Sequence, residues 1–432
     1  MKKTLLTICL VWMCFSLSAQ KIIDLSGKWS FSIDRQDNGE KEKWFSHTLN
    51  DFINLPGSMP EKLKGDEVTA KTQWTGSLYD SSYYYNPYME KYRKEGNIKF
   101  PFFLTPDKHY VGAAWYQKEV NIPADWKGER ILLFLERPHI ETTVWVNGQK
   151  TGMQNSLCVP HQYDITHYVR PGKCTITIRV DNRIKEINVG PDSHSITDQT
   201  QGNWNGIVGR ICLQTTPKTY FDDIQIYPEP EQKLARVKVV IKGAGITKIK
   251  LSAESFNTDK KHIVPAIQQE IKLNKGVTET EMVLPMGNDM LLWDEFHPAL
   301  YKLKAEVTNG KKTEIKEIQF GMRRFEIKGK WFYVNGRKTQ LRGTVENCDF
   351  PLTGYAPMDV ESWERVFRIC RSYGLNHMRF HSFCPPEAAF MAADRVGFYL
   401  QPEGPSWPNH GPKLGLGQPI DKYLMDETIA LT

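Results

Sequence analysis

The stretch SYGLNHMRFHSFCPPEAAF, Ser372 to Phe390, decides the fold. Leu375 to Phe380 reads as a short strand, bounded by Gly374 on one side and by polar residues and two prolines on the other. Just upstream, Trp363, Val366, Phe367, Cys370 and Tyr373 recur at helical spacing, which predicts a helix from Asp359 to Tyr373 with one buried face. Asp359 suits its N-cap and Gly374 its C′ position. A second helix starts around Pro386, with proline in its first turn, and stops at Gly397. The segment FYLQ, Phe398 to Gln401, is the following strand, and QLRG, Gln340 to Gly343, the preceding one. A further helix begins near Pro419. Strand, helix, strand, helix, strand implies parallel β/α construction.

The connections are asymmetric. Helix passes to strand through tight glycine turns at Gly374 and Gly397, whereas strand passes to helix through longer, polar, proline-bearing loops. In a β/α barrel the reactive face lies at the strand C-termini, where the longer loops are. Arg379, His381 and Glu403 all fall there, so they are candidate floor residues of a site.

Before residue 319 the pattern is different. From Ile22 to about Thr216, segments such as GKWSFSID, AAWYQKEVNIP and CTITIRVDN alternate apolar and polar residues. Val146 to Gln149, VNGQ, is a hairpin signal, because Asn-Gly accepts positive φ at both turn centres. We expect an antiparallel jelly-roll sandwich over 21–217, interrupted at 64–110 by a tyrosine-rich insertion. Its Tyr79, Tyr83, Tyr84, Tyr85 and Tyr88 either stack on a flat ligand or pin the insertion down, with packing the favoured reading. Residues 218–318 form a second all-β segment of the right length for one immunoglobulin-like sandwich.

The chain has 432 residues, enough for several domains, and 12 Trp, 18 Tyr and 20 Phe to fill their cores. A net charge of +6, with both signs interspersed, argues against nucleic-acid binding. The first 20 residues read as an export signal: Lys2 and Lys3, an apolar run too short to span a bilayer, and small residues for cleavage near Ala19. No other segment could span a bilayer, and a periplasmic location is expected. Cys9 and Cys14 leave with the signal. The other six cysteines contain no CxxC pair, which disfavours structural zinc; a Cys158–Cys174 disulfide is open, with buried free thiols preferred.

The run NHMRFHSFCPPEAAFMAADRVGFYL, Asn376 to Leu400, resembles the first signature of glycoside hydrolase family 2, the group of β-galactosidases, β-glucuronidases and β-mannosidases. Asn376, Arg379, Asp394 and Gly397 hold its fixed positions, and the interval from Arg379 to Asp394 matches without a gap. The middle departs: His381 precedes Ser382 where the family has Ser then His, and Phe383 and Cys384 replace Tyr-Pro. NWNGIVGRICL (203–213), WDEFHPALYKLKAEV (293–307), WFYVNGRKTQLRG (331–343) and YLQPEGPSWPNHG (399–411) are similar to other family segments, in the family's domain order.

The resemblance implies that 319–432 is the start of a TIM (β/α)8 barrel, truncated at three strands, and that the chain belongs to a retaining enzyme cleaving terminal β-glycosidic bonds. Such enzymes use an acid/base and a nucleophilic carboxylate about 5–5.5 Å apart. The resemblance places both glutamates on later strands, beyond Thr432, so this chain is expected to be inactive alone. Arg379 would contact a catalytic glutamate or a sugar hydroxyl. Glu403 would bind sugar hydroxyls, tune a carboxylate, or pair with Arg379. His381 is either a substrate contact or a core histidine, and Trp407 either a stacking wall or a barrel-mouth aromatic. Glu346 and Asn347 follow the first strand where some members contact sugar or metal. Asp198 and Asn205 lie in the sandwich loop that reaches the sugar in some relatives. His410 resembles a magnesium-binding segment, but Pro408 stands where the acidic ligand belongs, so no metal or other cofactor is expected. The partner is an oligosaccharide or glycan. The competing expectation is a non-catalytic carbohydrate-binding protein with a vestigial barrel.

Overall fold

The computed structural model describes the chain apart from residues 1–19, 76–80, 101–105, 186, 188, 190–192, 199, 349, 351, 407–413 and 432, and the side chain of residue 275. The expected export signal, Tyr79, Trp407 and His410 therefore lie outside the described residues.

The first domain is an antiparallel sandwich. One sheet runs Ile22–Asp24, Gly206–Thr216, Arg130–Pro138, His161–Asp164, with Gly57–Ser58 beside Gly206–Thr216. The other runs Gln149–Asn155, Glu141–Val146, Gly172–Asp181, Ala113–Ile122, Gly27–Asp34, Asp51–Leu55. Their alternating residues meet in one core that includes Trp29, Phe31, Tyr116, Leu133, Val144, Ile178 and Leu213. The VNGQ hairpin forms as expected: Asn147 and Gly148 have φ of 50° and 78°, and Gln149 pairs with Val146. Cys158 and Cys174 are both buried free thiols. In the insertion, Tyr83 is buried against Phe100, while Tyr84, Tyr85 and Tyr88 are exposed, so the packing reading holds for one of the four described tyrosines.

The second domain is built on two 23-residue strands, Leu234–Phe256 and Ile263–Pro285, paired along most of their length. A bulge at Gly243 and Gly245, the latter at φ 89°, breaks the register. Up to that point the first strand pairs with Tyr220–Glu229; beyond it the partner is Leu300–Asn309, followed by Lys312–Phe320. Residues from both halves share one core with Phe221, Val239, Ile249, Leu251 and Tyr301.

The last segment has three parallel strands in chain order, Gly343–Glu346, His377–Phe380 and Tyr399–Gln401, joined by helices Val360–Ser372 and Glu387–Val396. Met378 and Phe380 point to the helices, joining Trp363, Phe367, Ala389, Ala392 and Phe398 in a core. Asp359 caps the first helix by accepting from Ser362 N at 2.8 Å. Two expectations need correction. QLRG is not the first strand; that strand begins at Gly343. The Asn376 side chain instead occupies this backbone, donating to Gln340 O (3.1 Å) and accepting from Arg342 N (2.7 Å). Tyr373 is not on the buried helix face but 81% exposed, because the helix ends at Ser372 and Tyr373 leaves helical geometry.

Among the described residues, no helix is long and apolar enough to cross a membrane. A final helix, Pro419–Leu431, returns to the sandwich, where buried Glu427 accepts from the backbone N–H groups of Leu157 (3.2 Å) and Cys158 (3.0 Å).

The two glycine turns differ in what surrounds them. Gly374 (φ 80°) faces open space, whereas a Cβ at Gly397 (φ 77°) would lie 2.8 Å from the Glu295 carbonyl oxygen. Gly374→Ala should therefore cost only the left-handed penalty, about 1–2 kcal/mol. Gly397→Ala should cost more, because it also drives two domains apart. Urea midpoints of the two variants, measured side by side, check the order.

Candidate functional site

The site is assembled at the carboxyl ends of the three parallel strands. Their register sets Val345, Arg379 and Gln401 side by side, on the face opposite the helices. Glu403 lies two residues beyond the third strand, at the same end as Arg379. The Arg379 Nε donates to Glu403 Oε1 in a close ion pair. The geometry required by the sequence reading, both residues at one end of the sheet, is met. Burial acts to raise the Glu403 carboxyl, but hydrogen bonds from Arg379 and Ser382 and the Arg379 charge outweigh it and hold the carboxyl below its ordinary value.

His381 sits one residue past the second strand. Its backbone N–H donates to Glu346 O (2.9 Å), its Nδ1 lies 3.2 Å from Asn347 Oδ1, and its peptide bond to Ser382 is cis. Asn347 and Glu346 are thus brought to the cluster by the first strand. Glu346 turns one carboxylate oxygen onto the Cys348 N–H at 2.7 Å.

One member was missed in the sequence. His194, on the sandwich loop, stands edge-on to His381 with ring centroids 4.5 Å apart. The loop is bolted to the strand ends by its side chains. Ser195 Oγ donates to Ser382 O (2.5 Å), Gln201 Nε2 donates to His381 O (2.8 Å), and Ser193 Oγ donates to Pro405 O. Burial first, then the neighbouring His381, pushes the His194 imidazole down to about 4. It is therefore neutral at pH 7. No local pattern marked His194, because its partner is 187 residues away in the chain.

Asp198 and Asn205 are not brought to the cluster. Both are buried, 3% and 0% exposed, and their polar atoms are engaged internally. Asp198 accepts from the backbone of Thr75 (2.5 Å) and Asn203 (3.2 Å). Asn205 accepts from the Tyr116 hydroxyl (2.7 Å) and donates to Gly112 O and Val180 O (both 3.0 Å). Their hydrogen bonds hold the loop's shape, away from the cluster at the strand ends.

The other signature residues join domains. Asn376 Nδ2 donates to the buried Glu295 carboxylate (2.9 Å), to which Arg342 also donates (3.3 Å). Asp394 accepts from the Trp293 indole through its backbone oxygen (2.7 Å) and from Gln319 and Arg323 through its carboxylate (3.2 and 3.1 Å). Arg371 reaches across to Glu295 O (2.6 Å) and Gly397 O (2.8 Å).

Three buried histidines are held neutral by burial: His139 at about 3, His161 and His194 at about 4. Unfolded, each titrates near 6.5. Below that pH the unfolded state binds more protons, so stability present above pH 6.5 is lost as pH falls towards 4. We expect His194→Gln to flatten this dependence by about one proton, about 1.4 kcal/mol per pH unit. Urea unfolding at pH 7, 6 and 5 measures the slope; an unchanged slope refutes the assignment.

Comparison with known proteins agrees with this architecture. Residues 22–217 match the model of the glycosyl hydrolases family 2 sugar binding domain, and residues 219–323 match that of glycosyl hydrolases family 2. The chain is 25% identical over 334 residues to a β-galactosidase of Thermoanaerobacter pseudethanolicus, covering 73% of this chain and 42% of that one. It is 23% identical over 420 residues to the β-glucuronidase of Homo sapiens, covering 88% and 57%. Among solved structures, a family 2 member from Bacteroides cellulosilyticus superposes with a TM-score of 0.68 at 20% identity, covering 91% of this chain and 47% of that one. A Ruminococcus gnavus β-glucuronidase gives 0.67 at 19%, covering 96% and 63%. The chain thus spans about half the length of the curated relatives it matches. Two family models in sequence, and the domain pair they describe, establish that this chain belongs to glycoside hydrolase family 2.

Proposed function

We propose that this chain is the amino-terminal part of a retaining β-glycosidase, acting on terminal β-galactoside or β-glucuronide-like residues of a glycan. The observation that carries the proposal is the joint construction of one polar cluster by two domains. The parallel strands contribute Arg379, His381 and Glu403, and the sandwich loop contributes His194. A cation, a carboxylate and two imidazoles at strand C-termini offer the donors and acceptors that sugar hydroxyls require. Family membership supports the glycosidase reading, and the names of the relatives support the two sugar classes.

In this reading the three parallel strands are the first arc of a (β/α)8 barrel. Arg379 and Glu403 orient one another. Glu403 is held ionised by its partner, so it serves as an acceptor for sugar hydroxyls rather than as the proton donor. The acid/base and nucleophile of the retaining reaction belong to later strands, as the family pattern implies. No metal is assigned: among Glu346, Asn347 and His410, to which the family resemblance gave a possible metal role, His410 lacks its acidic neighbour, which Pro408 replaces. The leader 1–20 is assigned to export towards a periplasmic site of action.

The test uses p-nitrophenyl β-D-galactoside and p-nitrophenyl β-D-glucuronide. The 432-residue chain alone is expected to release no nitrophenol above blank. A protein in which the same chain continues into a complete family barrel should turn over at least one of the two. In that protein Arg379→Ala should lower kcat/KM by about a hundredfold or more, the scale of one charged active-site contact. Turnover by the 432-residue chain would overturn the placement of the reacting carboxylates. Inactivity of the longer protein on both substrates would count against the sugar assignment.

A further inference from the structure

The tyrosine-rich insertion is not used by the site described above, yet it is built to present a surface. Tyr83 anchors it: the ring is 1% exposed, stacked 4.4 Å from Phe100, and its hydroxyl donates to Tyr92 O at 2.8 Å. Arg93 donates to Tyr83 O, and Asn86 caps the following turn by accepting from Tyr88 N at 2.9 Å. On this fixed base Tyr85 and Tyr88 are 72% and 69% exposed.

A cation is held against Tyr88 and Tyr92. Lys91 Nζ lies 4.6 Å from the Tyr88 ring centroid and 4.8 Å from that of Tyr92. Among the described residues it makes no ion pair, whereas its neighbour Lys94 pairs with Glu90 at 3.3 Å. Residues 81–100 carry Lys91, Arg93, Lys94 and Lys99 against Glu90 and Glu95, a net charge of +2. The root of the insertion is fixed to the site loop: Thr75 N donates to Asp198, and Asn203 Nδ2 donates to Thr75 Oγ1 at 3.1 Å. Thr75 is therefore tied to the loop that carries His194.

Exposed tyrosine rings offer a flat apolar face with a hydroxyl at the rim, which suits the C–H face of a pyranose. An ammonium beside them that meets tyrosines and, among the described residues, no carboxylate adds selectivity for an anion. We propose that Tyr85, Tyr88 and Lys91 form an accessory binding surface for an acidic polysaccharide, its rings stacked on the tyrosines and its anionic group paired with Lys91. The surface binds and does not cleave. It goes beyond the hydrolytic reading, because retention by this surface is measured without turnover.

Affinity electrophoresis of the 432-residue chain tests this, with polygalacturonate as the uronate probe, dextran sulfate as the sulfate probe, neutral β-1,4-galactan, and duplex DNA as a polyanion without pyranose rings. We expect retention by polygalacturonate or dextran sulfate, and whichever retains the chain identifies the anionic group. Retention should weaken at least about tenfold in Tyr85→Ala/Tyr88→Ala, the loss of one stacked ring being worth about 1.4 kcal/mol. It should weaken further in Lys91→Glu and fall as salt is raised. Thermal midpoints of these surface variants should match that of the unaltered chain, which separates lost binding from lost folding. Retention unchanged by the substitutions, retention by the neutral galactan alone, DNA retention as strong as that of the acidic glycans, or no retention by any probe would each overturn the proposal.

Discussion

The architecture depends on one amide. Asn376 accepts from Arg342 N, donates to Gln340 O, and donates to the Glu295 carboxylate. It is 1% exposed, and Glu295 is 7% exposed. A buried carboxylate is tolerated only when its oxygens are paired, and here the partners come from the approach to the first parallel strand and the start of the second. The same bond therefore fixes where the first strand begins, how the second enters, and how both dock on the immunoglobulin-like domain. Asp394 and Trp293 repeat the arrangement at the end of the second connecting helix. Two motifs separated by some 80 residues in the chain are the two sides of a single interface.

The sandwich grips the opposite end of the parallel sheet by a different device. Past the strands the backbone is irregular, and carbonyls such as those of His381, Ser382 and Pro405 have no ladder to join. Buried backbone oxygens need donors. The loop 193–201 supplies them from Ser193, Ser195 and Gln201. Positioning His194 is thus a by-product of satisfying main-chain groups, and the polar cluster sits where three structural obligations converge.

These arrangements were unequally visible in the sequence. The alternation of strand and helix, the Asp359 cap and the Asn-Gly hairpin were legible because each is a local matter of period and allowed φ. Arg379 and Glu403 were legible because strand ends in a parallel unit share one face. His194 was not, since nothing within its own loop distinguishes it from any other polar loop residue. Asp198 and Asn205 show the converse. A polar residue in a loop reads as available, and only the fold reveals that Thr75, Tyr116 and Val180 already occupy it. The extent of the QLRG strand was misread because a side chain, Asn376, replaces the ladder partner that backbone periodicity presumes.

The reach of Glu427 into the sandwich bears on the order in which the molecule is made. Synthesis proceeds from the amino end, and the strands flanking Leu157 and Cys158 are complete long before the helix Pro419–Leu431 exists. Before residue 427 emerges, Ser156 Oγ already offers an acceptor to the Cys158 and Val159 N–H groups (both 3.1 Å), and the Leu157 N–H gains its Glu427 partner only afterwards. One contact of the first domain to be translated thus waits for a helix made some 270 residues later, and a ribosome paused midway would carry a sandwich whose sheets are set but whose Leu157 amide has yet to meet its carboxylate.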